Sequence, residues 1–103
     1  MKVNFTKQLK DLSGNPIVEQ YEEGKKNNVT LAFVCSAALL QGGEQEKMSW
    51  EEKLQRYELA SKIRQAKGAI DVPAEDVTII KKSLAVMPIL YCGQAVKMIE
   101  GNG

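Results

Sequence analysis

The chain contains no histidine among its 103 residues, and that absence removes much familiar chemistry. Histidine is the commonest general base, the usual partner of a serine or cysteine nucleophile, and the commonest transition-metal ligand. Cysteine is nearly as scarce. Cys35 and Cys92 stand far apart and cannot make a zinc site by themselves. No uninterrupted apolar run reaches membrane-spanning length; the most apolar stretch, "VTLAFVCSAALLQ", reads as a core helix. The opening "MKVNFTKQLKD" lacks the apolar h-region of a secretory signal. A net charge of +1, from 14 basic and 13 acidic residues, lacks the basic excess of a dedicated nucleic-acid binder. Lysines and glutamates interleave, with only Lys25-Lys26 and Lys81-Lys82 as adjacent pairs. "SGNP" lacks the spaced glycines and closing Gly-Lys-Ser/Thr of a phosphate loop, and "QGGEQ" follows a helical stripe instead of a strand. An enzyme is the least favoured class, and neither cofactor nor metal is expected.

What remains is the composition of an ordinary globular domain, 44% hydrophobic and 26% charged, at a length that suits a single domain spanning 1–103. Its style changes along the chain. In "VNFTKQL" the apolar Val3, Phe5 and Leu9 fall at even spacing, the period of a half-buried strand. Ser13, Gly14, Asn15 and Pro16 then cluster as turn formers, and Ile17, Val18 and Tyr21 restart an extended run. Residues 1–22 are therefore expected to form a β-hairpin, followed by a "YEEGKKNN" stretch expected to be mobile. From Thr30 the pattern turns helical. Thr30 is a candidate N-cap, and Leu31, Val34, Cys35, Ala38 and Leu39 make an apolar stripe that Gly42-Gly43 would end. "SWEE" places Ser49 at an N-cap and Glu52 three residues on, a capping box. The helix it opens carries Trp50, Leu54 and Tyr57 on one face and Leu59, Ile63 and Ala66 on the opposite one, so it is expected to pack on two sides. "AIDVP" reads as an extended connector. A third helix follows, buried through Val77, Ile80, Leu84 and Met87; a fourth begins at Pro88, buried through Ile89, Cys92, Ala95, Val96 and Ile99. The expected fold is α+β and mostly α: an N-terminal β-hairpin packed on a bundle of about four helices over 30–100.

Within this frame few residues point to chemistry. Glu75 and Asp76 are adjacent, so on a helix they diverge by about 100°, and their place in a first turn suits the helix dipole. Glu22-Glu23 and Glu51-Glu52 read as solvent face. Both cysteines lie on apolar stripes and are expected to be buried and reduced, which suits an intracellular chain. Trp50, the sole tryptophan, has core anchoring as its ordinary reading and partner contact as the alternative, since Trp and Tyr are enriched at binding hot spots. Tyr91 and Met98, on the flank of the last helix, raise the same alternative. Trp50, Leu54, Tyr57 and Tyr91 are the candidate interaction residues. The stripes hold more apolar positions than four short helices bury, so a homo-oligomer is expected, with the second helix or the hairpin edge at the contact. The rival arrangement has the hairpin covering the second helix within one chain.

Three phrases together carry a family resemblance. "DLSGNPI", "EEKLQRYELASKI" and "AEDVTIIKK…GQAVKMIEG" resemble small proteins encoded by tailed bacteriophages and prophages, a family of unsettled activity. The resemblance runs over nearly the whole chain in the same order and implies a location in the host-cell cytoplasm. It transfers no catalytic residue. Short phage proteins without active-site chemistry usually work by binding. The favoured expectation is therefore a non-enzymatic protein-interaction module directed at a host protein or defence system. A virion structural or assembly accessory is the alternative, and a nucleic-acid-binding regulator stands third.

Overall fold

A computed structural model describes residues 1–22, 25–41 and 48–101. Within them the chain is mostly helical α+β, as expected, with four helices and an N-terminal antiparallel hairpin. In chain order the elements are β1 (Lys2–Asn4), β2 (Val18–Glu22), β3 (Lys25–Asn28), α1 (Leu31–Leu40), α2 (Trp50–Gln65), β4 (Ala69–Asp71), α3 (Ala74–Leu84) and α4 (Ile89–Ile99).

The turn anticipated at "SGNP" is present. Asp11 builds it: its Oδ1 accepts from the N–H groups of Ser13 (2.9 Å) and Asn15 (3.0 Å). Gly14 takes φ +88°, where a side chain would be strained. Pro16 pairs with Lys10 in an isolated bridge flanked by the bonds Asp11 N to Asn15 O and Ile17 N to Leu9 O. At that position its missing N–H costs nothing. The pairing stops there. Val18 onward pairs with β3 instead, in the register Val18↔Asn28 to Glu22↔Lys25 with a bulge between Gln20 and Glu22. The regular pairing therefore joins Val18–Glu22 to Lys25–Asn28 and falls partly in the "YEEGKKNN" stretch expected to be mobile. β1 pairs antiparallel with β4, Val3 opposite Ile70, so the "AIDVP" connector supplies a strand. Period-2 patterning marks a strand without naming its partner.

These extended segments close over the start of α1. The first amides of a helix have no intrahelical partner, and here the helix start is buried. Leu31 N–H donates to Lys7 O and Ala32 N–H to Phe5 O, both at 2.8 Å. The anticipated cap supplies the third acceptor, Thr30 Oγ1, to Phe33 N–H at 3.2 Å. Beside them lies a cyclic triad: Leu9 N–H donates to Val29 O, Val29 N–H to Ile17 O, and Ile17 N–H to Leu9 O, at 2.8 to 3.0 Å.

α1 is the central helix and packs against α2, α3 and α4. Leu31, Val34, Cys35, Ala38 and Leu39 are buried as the stripe predicts. Ser36 is buried too, donating to Phe33 O at 3.2 Å and accepting from an Arg64 guanidinium nitrogen of α2 at 3.4 Å. The expected stop at Gly42-Gly43 lies outside the described residues. α3 buries Val77, Ile80, Ser83 and Leu84, with Met87 half-buried beyond its end. Pro88 occupies the N-cap position of α4, whose first bond runs from Cys92 N–H to Pro88 O. Three expected positions differ. Ile89 is exposed at the head of α4, and Cys92 and Val96 are only half-buried. An apolar stripe gives a helix's inward direction, but the first turn of α4 overhangs the core. No described helix is long and apolar enough to cross a membrane.

Two substitutions test this account. Phe5 is fully buried, and Phe5→Ala is expected to cost about 3–5 kcal/mol in a urea melt; a loss under about 1 kcal/mol would contradict a packed N-terminal segment. Ser49 Oγ accepts from Glu52 N–H at 3.2 Å, but among the described residues the Ser49 N–H donates no bond to the Glu52 carboxylate, so the box is half closed. Ser49→Ala should still cost about 1 kcal/mol in the same measurement.

Candidate interaction surface

α2 divides lengthwise. Leu59, Ala60 and Ile63 in its second half are buried, and Ala66 beyond it is half-buried. The opposite face is not covered. Trp50 is 71% exposed, Leu54 46% and Tyr57 62%. Packing on two sides is thereby corrected: α2 buries one face, and Trp50 is not a core anchor. The intrachain rival is also absent, since the hairpin leaves these three side chains in solvent. Their positions at i, i+4 and i+7 bring them onto one line along the helix. Leu40, exposed at the end of α1, shares with Tyr57 a groove of about 260 Å³ that Met48, Lys53 and Arg56 also line. A second groove of about 450 Å³ lies on the other side of Tyr57, against Ser61, Gln65 and Ile70 of β4. The tyrosine ring forms a ridge between two depressions.

The surroundings are polar and mixed in sign. Glu51, Glu52, Lys53 and Glu58 lie exposed beside the stripe, as at the rim of a protein contact. Tyr91 does not join it. It is half-buried against the core on α4, a helix that packs on α1, α3 and β1. Of the other large exposed apolar side chains, Leu12 lies on a turn, Val86 and Ile89 around the α3–α4 junction, Val18 at the start of β2 and Met1 beside β1.

Burial pushes the Cys35 thiol from 9.0 up to about 12, so it carries almost no thiolate near neutral pH and is a poor nucleophile. Both cysteines are free thiols. Among the described residues no three Cys, Asp or Glu side chains gather to hold a metal ion. Glu75 and Asp76 stand in the first turn of α3, where the helix dipole accounts for them.

No family model, curated protein or solved structure matches this chain.

The difference in burial predicts ordered labelling by a disulfide reagent. Cys92 should react in the native protein, and Cys35 only at the rate of unfolding, accelerating with added urea. Equal native rates at the two thiols would contradict the burial of Cys35.

Proposed function

We propose that the protein works by binding another protein through the uncovered face of α2, with Trp50 and Tyr57 as anchors. One observation carries the reading: a tryptophan, a leucine and a tyrosine lie in line and exposed on one helix face, ringed by charged side chains. Holding such side chains in water costs hydrophobic free energy that a partner would recover. Trp and Tyr are also the residue types that most often dominate a contact. The grooves on either side of Tyr57 give a partner concave surface to fill. The resemblance to tailed-phage proteins supplies the setting: the partner is a protein of the bacterial host, an enzyme or a defence component, and the location is the host cytoplasm. No reaction is part of this reading.

The test places a photo-crosslinking amino acid at position 50 and, as control, at position 75 on α3, in protein made inside bacterial host cells. A discrete crosslinked host protein from position 50 and none from position 75 is expected. Trp50→Ala with Tyr57→Ala should remove the interaction when the purified partner is titrated, while stability moves by less than about 0.5 kcal/mol, as for exposed positions. Crosslinks only to a second copy of the chain, with a dimeric mass by light scattering, would replace the host partner with self-association. Crosslinking at position 50 no stronger than at position 75 would overturn the reading.

A further inference from the structure

We propose, independently of the α2 face, that the groove between residues 6–10 and the second half of α4 binds a small organic phosphate. The groove encloses about 620 Å³, within the roughly 300–1,000 Å³ of small-molecule sites. One wall is the segment from Thr6 to Lys10, the other Gln94, Lys97 and Met98.

Backbone geometry fixes the first wall. Leu9 spends its N–H and C=O on Val29 and Ile17. In an extended chain the neighbouring residues turn their N–H and C=O groups to the opposite edge, here the α4 side. Gln94 occupies that edge at Lys10. Its Oε1 accepts from Lys10 N–H at 2.9 Å, and its Nε2 donates to Lys10 C=O. The side-chain amide thus stands where a further strand would pair, and it locks the two walls together. Gln8 shares the edge, and among the described residues its N–H has no partner. That leaves one backbone donor at the groove.

Charge decides the ligand class. Among the described residues Lys10 and Lys97 line the groove beside Gln8 and Gln94, and no carboxylate does, in a chain of net charge only +1. The carboxylates next in sequence are engaged elsewhere: Asp11 inside its own turn, Glu100 with Lys81 Nζ at 3.0 Å. Among the described residues neither Lys10 nor Lys97 has an ion pair. Lys97 also complements the C-terminal dipole of α4, but Lys10 lies in no helix, so the dipole does not account for its place at the groove. Ammonium groups act as point charges, and a phosphate monoester brings them nearly two negative charges where a carboxylate brings one. Met98 and the lysine stems give an apolar surface for the ligand's organic part.

The test titrates the ¹⁵N-labelled chain at low salt with inorganic phosphate, with adenosine 5′-monophosphate and with a single-stranded oligonucleotide. Saturable amide shifts confined to Gln8, Lys10, Gln94 and Lys97 are expected with the mononucleotide, and weaker binding at the same residues with inorganic phosphate. Lys10→Gln and Lys97→Gln should each weaken mononucleotide binding about tenfold, the loss of one charge-assisted hydrogen bond. Lys82→Gln on α3 should leave it unchanged. All three positions are exposed, so thermal melts should match the parent chain. Unsaturated shifts into the millimolar range, or equal weakening by Lys82→Gln, would overturn the proposal. Binding by the oligonucleotide alone would replace it with a nucleic-acid backbone contact.

Discussion

The cyclic hydrogen-bond triad of Leu9, Ile17 and Val29 is the constraint on which the molecule's architecture turns. Each residue gives its N–H to the carbonyl of the next, so three separate stretches of chain are tied at one level. Leu9 and Val29 are fully buried, and a buried amide without a partner costs about 1–3 kcal/mol. The triad therefore lets an irregular segment enter the core without orphaned donors. It also sets where residues 5–7 lie, and those residues supply the carbonyls that finish the head of α1. Because α1 is the helix on which α2, α3 and α4 all pack, the N-terminal segments are part of the helical core's foundation.

Much of this was legible in the sequence where the signal is local. Apolar stripes located all four helices, and the caps at Thr30 and Ser49 are where short-range hydrogen bonding requires an oxygen. The turn at Asp11–Asn15 was announced by its residues. What could not be read was pairing across distance. Val3 and Ile70 each sit in a short extended run, and nothing within either run specifies the other. Of the hairpin, the strand at Lys25–Asn28 was not legible, because it is a polar stretch with poor strand propensity, held by backbone bonds to β2.

The candidate sites divide along the same line. The stripe Trp50, Leu54 and Tyr57 was visible as spacing. Its exposure depended on how far α1 reaches along α2, which spacing does not encode. Tyr91 shared the residue type and not the environment. The lysine groove left no trace at all: Lys10 and Lys97 line it together, where Gln94 grips the backbone of Lys10 across a separation of 84 residues.

The antiparallel pairing of β1 with β4 carries a consequence for biosynthesis. β1 leaves the ribosome early, and its partner at Ala69–Asp71 follows only after α1 and α2 have been made. Until then the apolar circumference of α1 has neither α3 nor α4 to cover it. Closing so long a loop is entropically costly before any contact rewards it. The nascent chain thus passes through a stage in which its most hydrophobic helix is displayed to the cell. For this topology that stage offers chaperones and proteases apolar surface that the finished domain hides.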